Sequence, residues 1–171
     1  MTGRWVVGVD LSLTGTGITT PETCHVVNTG KMKGWERISR IRQVLTKPGM
    51  GWGWIDTPPL VVLEGYSHAS KYQAHQLGEL GGIIRYHLWQ TGIPYIDIPP
   101  ATLKKFATGK GTAGKDLMVA AAARLGCPES DNNAVDSWHL QALGCYGLGL
   151  PCPHPRTGYR DEIVGAIQWP N

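Results

Sequence analysis

Cysteines and long apolar runs are both scarce in this sequence, and each scarcity excludes a class of protein. The four cysteines are scattered along the chain: Cys24, Cys127, Cys145 and Cys152. They form no C-x-x-C pair, so we expect free thiols and not a disulfide framework. Cys152 and His154 also lack the ligand spacing of a common zinc site. No apolar stretch approaches the roughly 20 residues of a membrane helix, and Arg4 and Asp10 interrupt any signal-peptide core. We therefore expect a cytoplasmic protein without membrane contact.

The composition is that of a folded globular chain with a small positive charge. Its 171 residues are 42% hydrophobic and 17% charged, with a net charge of +3, which suits one domain with a substantial core. Acids are missing from residues 101–115, where four lysines lie, and residues 31–47 hold six basic residues against one acid. Such positive density suits a polyanion such as nucleic acid, and solvated helix faces are the alternative. The candidate DNA contacts in the two clusters are Arg37, Arg40, Lys105 and Lys110.

Strand and helix patterns alternate along most of the chain. Short apolar runs predict strands at residues 4–10, 16–20, 24–27, 60–63 and 94–98. Helical spacing predicts helices near residues 37–45, 70–88, 101–106, 113–125 and 132–143. Three consecutive strands followed by alternating helices and strands predict an α/β layered fold with a mixed sheet. We place one domain at residues 1–148 and treat the proline-rich residues 149–171 as a surface-lying extension.

Two of the predicted strands end on an acidic residue. Asp10 closes the first apolar run and Glu64 closes the fourth. Ligand sites in open α/β sheets lie at the carboxyl ends of strands, so the two carboxylates would sit side by side if these strands are neighbours. Like charges that close repel until a proton or a cation intervenes, and clustered oxygen ligands suit Mg²⁺ or Mn²⁺. The alternative is an ordinary solvated or turn-forming acid at each strand end.

A third acid comes from the last predicted helix, within the run SDNNAVDSWHL. Asp136 shares a helical face with Asn132, Asn133 and Leu140, which gives an otherwise packable helix one polar turn. Asp131 stands at the helix start, where an acid favours capping. Three carboxylates from two strands and a helix can hold two metals about 4 Å apart, the arrangement that activates water at a phosphodiester.

Four segments that span most of residues 4–144 carry a recognisable combination. They are VVGVDLSLTGTGI, VVLEGYSHASKYQAHQLGELGGIIRYHL, PPATLKKFATGKGTAGKDLM and DNNAVDSWHLQALG. Together they resemble the RuvC-type Holliday junction resolvases of bacteria and phages, which belong to the ribonuclease-H-like superfamily. The resemblance implies a ribonuclease-H-like three-layer fold, with a five-stranded mixed sheet flanked by helices. It also implies a homodimer and Mg²⁺-dependent strand cleavage, with Mn²⁺ as a substitute ion. Asp10, Glu64 and Asp136 match the family's metal-binding acids.

The chain departs from the family pattern at one metal position. The family has an acid or a histidine three residues before its last aspartate, and this chain has Asn133 there. Asparagine can bind a metal through its carbonyl oxygen but cannot act as a base. Either Asn133 is a neutral ligand, which we prefer, or Asp131 reaches the metal from the helix start.

Lysines and aromatic residues complete the site that the resemblance implies. Lys104 and Lys115 have the separation of two family lysines near the active site, where a lysine can contact the scissile phosphate or neutralise charge during cleavage. An ordinary surface role is the alternative for Lys104. The family's stacking aromatic falls at Ser67 here, so base stacking would pass to one of its neighbours: Tyr66, His68 or Tyr72. Packing at a helix start is the alternative for the tyrosines.

Two glycine-rich stretches look like phosphate loops. In GKGTAGKD, the residue after Lys115 is Asp116, where a phosphate-binding loop needs serine or threonine, and a predicted helix precedes the stretch instead of a strand. We therefore expect no nucleotide cofactor. The stretch GVDLSLTGTG also looks like the first phosphate loop of actin-like and hexokinase-like ATPases, but those folds need two such domains and this chain has room for one.

The sequence thus predicts a Mg²⁺-dependent, structure-specific endonuclease that nicks branched DNA, chiefly four-way junctions, by attack of metal-activated water on the phosphodiester. A junction presents two equivalent strands, so symmetric cutting favours a C2 homodimer, with the predicted helix Gln76–Leu88 as its surface. One alternative is a branched-DNA-binding protein without activity, which the change at Asn133 would fit. The other is a single-domain phosphate binder of the actin or hexokinase type.

Overall fold

A computed structural model of the chain describes residues 5–46, 58–65 and 74–170. Within these residues five strands form one sheet in the order β3-β2-β1-β4-β5. The strands are β1 Val6–Asp10, β2 Gly15–Thr19, β3 Cys24–Asn28, β4 Leu60–Glu64 and β5 Tyr95–Ile98. The helices are α1 Gly34–Thr46, α2 Ala74–Gln90, α3 Pro100–Thr108, α4 Lys115–Arg124, α5 Asn132–Gly147 and α6 Gly158–Gly165. The predicted five-stranded sheet is confirmed.

The sheet combines antiparallel and parallel pairs. β1 pairs antiparallel with β2 and parallel with β4, and the register places Asp10 opposite Gly17 and Val9 opposite Leu63. The pair β2–β3 is antiparallel and the pair β4–β5 is parallel. The carboxyl ends of β1, β4 and β5 therefore meet at one end of the sheet, where ligand sites form in open α/β folds.

Helices cover both faces of the sheet and give the three layers. On one face, Val7 and Leu63 share a buried apolar cluster with Ile41 of α1 and Leu80 of α2. On the other face, residues of α3, α4, α5 and α6 form a second cluster with the alternate strand positions, such as Val62. Because both faces of the central strands are buried, their sequences are continuous apolar runs.

Helix α5 lies directly on the sheet because two glycines leave room for it. A side-chain carbon at Gly8 would collide with the carbonyl oxygen of Ser137, and one at Gly17 would collide with the carbonyl oxygen of Asn133. Since Gly17 lies opposite Asp10, the first turns of α5 stand over the carboxyl end of β1. The glycines thus set the height of this helix above the strand ends.

The prediction that residues 149–171 form a surface-lying extension is wrong. His154, Arg160 and Ile163 are buried, and Ile163 belongs to the apolar cluster on the α5 face of the sheet. Helix α6 escaped prediction because its eight residues carry little apolar periodicity. The domain division after residue 148 stays a prediction.

Other element boundaries agree with the sequence analysis to within a few residues. Helix α1 begins at Gly34 and not near residue 37, and α5 continues to Gly147. The predicted start of the second long helix, near residue 70, lies outside the described residues. In the parts of the chain that the structure describes, no helix is long and apolar enough to cross a membrane.

Candidate active site

Asp10 and Glu64 form the centre of the candidate site. They end neighbouring parallel strands, one step beyond the pairing of Val9 with Leu63, so the predicted adjacency of the two strands is confirmed. Side chains alternate along a strand, and both acids fall on the face that α5 covers. Asp10 is 6% exposed, and its carboxyl group lies close enough to Glu64 for the two charges to interact.

The surroundings of the two carboxyl groups disfavour their ionised forms. Burial raises the pKa of Asp10 well above its ordinary value of 3.8, and the negative charges of Glu64 and Asp136 raise it further. Burial also raises the pKa of Glu64, although the positive charge of Lys104 partly offsets this. A proton held between the acids, or a cation, relieves such repulsion.

Asp136 contributes a third negative charge from the second turn of α5. Burial, reinforced by the charge of Glu64, raises its pKa from 3.8 to about 7. Asp136 therefore interacts electrostatically with the Asp10–Glu64 pair. Among the described residues, however, no three histidine, cysteine, aspartate or glutamate side chains stand close enough to form a ready-made metal site. The structure thus brings together a close pair of acids with a third acid at longer range.

Two lysines face the acids from the neighbouring helices. Lys104 lies in α3 and lowers the pKa of both Glu64 and Asp136 through its charge. Lys115 is the first residue of α4 and lowers the pKa of Asp136 in the same way. The sequence predicted both positions from family resemblance, and the fold brings both charges within electrostatic range of the acids.

Asp131 and Asn133 occupy the first turn of α5 with different contacts. Asp131 is the N-cap, and its carboxylate accepts hydrogen bonds from the backbone N–H groups of Asn133 at 2.8 Å and Ala134 at 3.3 Å. The predicted capping role of Asp131 is therefore confirmed. The Asn133 amide nitrogen lies 3.1 Å from the point that a Cβ of Gly15 would occupy, so this side chain is directed towards β2. The composition of the second metal position stays a prediction.

The predicted DNA contacts are spread over different parts of the fold. Arg37 is half-buried, and its guanidinium donates a 2.6 Å hydrogen bond to the Met32 carbonyl oxygen, which fixes the loop before α1. Arg40 is exposed on α1, across the sheet from the acids. Lys110 is exposed just after α3, and Lys105 lines a groove of about 710 Å³ between β5 and α6. The three candidate stacking residues lie outside the described residues: Tyr66, His68 and Tyr72.

One exposed aromatic residue near the acid end of the sheet was not predicted from the sequence. Trp35 is 68% exposed and follows the exposed residues Lys31 and Lys33. The loop that carries the lysines is tied to this end because Thr29 donates a 2.8 Å backbone hydrogen bond to the Thr14 carbonyl oxygen. The interleaving of lysine and tryptophan in KMKGW was the available signal for this surface.

Among the known proteins that resemble this chain in sequence or in fold are RuvC proteins. No family model matches the chain. A curated relative, crossover junction endodeoxyribonuclease RuvC of Synechococcus sp. (strain WH7803), is 24% identical over 155 residues, which cover 82% of this chain and 97% of the relative. The solved Thermus thermophilus RuvC structure is 21% identical, with a TM-score of 0.59, over 85% of this chain and 97% of that one.

A second solved structure, T. thermophilus RuvC in complex with a Holliday junction substrate, is 20% identical with a TM-score of 0.61. The match covers 81% of this chain and 91% of that one. Both structures share the architecture described above, so the predicted ribonuclease-H-like fold is confirmed. The curated relative is also a RuvC protein, so the resemblance to RuvC-type proteins that was predicted from the sequence is confirmed.

Proposed function

We propose that this RuvC-type chain is a crossover junction endodeoxyribonuclease, an enzyme that resolves four-way DNA junctions. The observation that carries the proposal is the pair formed by the buried Asp10 and the half-buried Glu64 at the carboxyl ends of β1 and β4, with Asp136 of α5 and two lysines around it. The curated relative bears this activity in its name, and one of the similar structures holds a Holliday junction substrate.

The donor set of the acid cluster fits a hard divalent cation, Mg²⁺ or Mn²⁺. Carboxylate oxygens are the ligands that both ions prefer, and burial together with the charges of the neighbouring acids raises the pKa values of Asp10 and Asp136, so a bound cation would stabilise their ionised forms. Asp10 and Glu64 would hold the first ion. Asp136 would contribute a third carboxylate to the same site. Asn133 is the candidate neutral ligand for a second ion. When bound, such an ion polarises water and offsets the charge that develops on the phosphate.

The protein's own groups would orient the DNA strand and stabilise the charge that builds up during cleavage. Lys104 and Lys115 lie on the α3 and α4 side of the acids, where they can contact the non-bridging oxygens of the scissile phosphate. Preorganised positive groups of this kind stabilise the extra negative charge of the transition state. The amino end of α5, above the strand ends, adds the positive end of a helix dipole.

A homodimer would supply two such sites to the two strands of a junction. The exposed face of α2 carries Tyr86, 59% exposed, and Trp89, 70% exposed, whose ring centroids lie 5.9 Å apart. A Cβ at Gly82 of the same helix would meet no atom within 4 Å, so the backbone there is open to close approach. Large exposed aromatics beside a small residue suit an isologous contact between two copies of this helix.

Junction binding would depend on exposed basic residues that contact DNA phosphates. The enzyme would act in the cytoplasm. Lys110 and Arg40 are exposed and available to phosphates, and Tyr66, His68 and Tyr72 remain the candidate stacking residues. Activity on flaps and forks would follow if the site reads only an unpaired branch point. Restriction to four-way junctions would follow if the dimer must engage two arms at once.

The proposal is tested by incubating four-way junctions, flaps, forks and linear duplexes with the protein and Mg²⁺, and reading the products on a denaturing gel. Wild-type protein is compared with Asp10→Asn and with Asp116→Asn, a matched change at an exposed aspartate of α4. We expect symmetric nicks in the four-way junction from the wild type and Asp116→Asn, and binding without nicks from Asp10→Asn. Binding without cleavage by the wild type would identify a non-catalytic junction-binding protein. Equal nicking by Asp10→Asn would remove Asp10 from the site.

A further inference from the structure

The carboxyl end of α3 is held by its own last residue, by the glycine that follows it and by a side chain that is remote in the sequence. The last carbonyl groups of a helix have no partner within it. Here Thr108 donates its hydroxyl to the Lys104 carbonyl oxygen at 2.8 Å. The Gly109 N–H, with a left-handed backbone at φ 83°, donates to the Lys105 carbonyl oxygen. The next two carbonyls, those of Phe106 and Ala107, lie beyond these contacts.

Arg160 of α6 supplies the missing donors. Its Nε–H donates to the Phe106 carbonyl oxygen at 2.9 Å, and its Nη2 donates to the Ala107 carbonyl oxygen at 3.4 Å. Its remaining nitrogen, Nη1, donates to the Pro155 carbonyl oxygen at 3.0 Å. The guanidinium group therefore joins the end of α3 to the C-terminal residues of the chain.

Arg160 is a buried cation whose fixed partners are carbonyl groups. It is 6% exposed, and within residues 5–46, 58–65 and 74–170 it forms no ion pair with a carboxylate. Burying a charge without compensation is costly, but the carboxyl end of a helix carries partial negative charge that favours a cation. The position of Arg160 is consequently tied to the end of α3, and a displaced helix end would leave the cation uncompensated.

The segment that precedes Arg160 packs against the core through His154, which is 3% exposed. The His154 ring packs against Phe106 and Trp138, with ring centroids 4.8 Å and 5.5 Å away. Its Nε2 lies 3.1 Å from Nδ1 of the buried His139 in α5. The C-terminal segment is therefore anchored to α5, the helix that carries Asp136. Arg160 of the same segment binds the carboxyl end of α3.

We propose that Arg160 is a positioning residue that acts through α3 to hold Lys104 against the acid cluster. Lys104 stands two residues before Phe106 on a helix of nine residues, so a shift of the helix end would move the lysine relative to Glu64 and Asp136. Misplacement of a catalytic group by about 1 Å can cost on the order of a hundredfold in rate. This inference rests on the proposed nuclease function and gives the C-terminal residues a part in it.

A double-mutant cycle between Arg160 and Lys104 tests the inference. Single-turnover junction cleavage and junction affinity are measured for Arg160→Ala, Lys104→Gln and the double variant, with Arg156→Ala as the control at an exposed arginine of the same segment. We expect Arg160→Ala to slow cleavage by about 10- to 100-fold, with affinity changed by less than about threefold, and Arg156→Ala to cleave normally. In the Lys104→Gln background, the Arg160→Ala change should cost almost nothing more, because its effect passes through the lysine.

Arg160→Lys keeps the positive charge with fewer directed donors and serves where Arg160→Ala does not fold. It should give an intermediate cleavage rate in the wild-type background and no added loss beside Lys104→Gln. Equal loss of cleavage from an Arg160 change in both backgrounds, or a loss confined to junction affinity, would overturn the positioning role while leaving the nuclease proposal intact. A wild-type protein that fails to cut the junction would instead overturn the proposed function itself.

Discussion

Replacing Asp136 with asparagine should stabilise the metal-free protein at neutral and alkaline pH. Burial and the charge of Glu64 raise the pKa of Asp136 from 3.8 to about 7, so above that pH the folded protein holds an ionised group in an unfavourable environment. Asparagine has nearly the same shape without the charge. Each pKa unit corresponds to about 1.4 kcal/mol, so the rise sets an upper limit of about 4 kcal/mol on the cost. Because water still reaches this half-buried side chain, we expect a gain in unfolding free energy of about 1–2 kcal/mol.

The sign of the pH dependence follows from the direction of the shift. A carboxyl group whose pKa is raised on folding contributes stability below its unfolded pKa, and that contribution is lost as the pH rises through the folded value. The stability difference between Asp136→Asn and the wild type should therefore be near zero at about pH 4. It should grow with pH and become constant above the folded pKa of about 7.

Urea unfolding over a series of pH values, with a chelator present, measures this difference. Asp116→Asn, at an exposed position of α4, is the control and should track the wild type. Divalent cations should make the wild type more stable than Asp136→Asn. A ligand that binds the folded state stabilises it, and the wild type should bind the cation more tightly. A variant equal to or less stable than the wild type at about pH 8, or a gain that does not change with pH, would refute the electrostatic reasoning.

Three further predictions concern packing, assembly and DNA binding. Gly17→Ala should lower the unfolding free energy by about 1–3 kcal/mol, because its Cβ would collide with the backbone of α5. The control is Gly165→Ala, where the added Cβ meets open space and urea unfolding should not change. Unchanged urea unfolding of Gly17→Ala would contradict the prediction. Tyr86→Glu should shift the protein from dimer to monomer in sedimentation velocity, and an unchanged mass would remove this face from the interface. Joint replacement of Lys31 and Lys33 by alanine should reduce the salt dependence of junction binding, by about 0.9 in log–log slope for each lost phosphate contact; an unchanged slope would place DNA elsewhere.

The arrangement of the two strand-end acids was predictable because it follows from local rules. The apolar runs before Asp10 and Glu64 define buried strands, and side-chain alternation puts both acids on one face once the strands are neighbours. The third acid was predictable from the polar turn around Asp136 on a helix of otherwise packable residues. The pairing register of the strands could not be predicted from the sequence. The role of Gly8 and Gly17, which is to leave room for the backbone of α5, could be recognised only from the structure.

The contacts of the C-terminal residues could not be predicted, because their partners are remote in the sequence. Arg160 bonds to carbonyl groups more than fifty positions earlier, and backbone acceptors leave no trace in residue type. The buried His139–His154 contact likewise joins two side chains that no periodicity links. Lys104 and Lys105 look equivalent in sequence, but a helix turns adjacent residues by about 100°, so one faces the acids and the other the groove beside α6.

The location of Mn²⁺ in crystals of the protein is the most direct measurement of the central claim. Anomalous difference maps at the manganese edge should show a peak between the carboxyl groups of Asp10 and Glu64, with Asp136 facing it, and the peak should vanish in Asp10→Asn. Manganese bound only elsewhere, or a peak that persists without the Asp10 carboxylate, would contradict the assignment of this site as the metal centre of a nuclease.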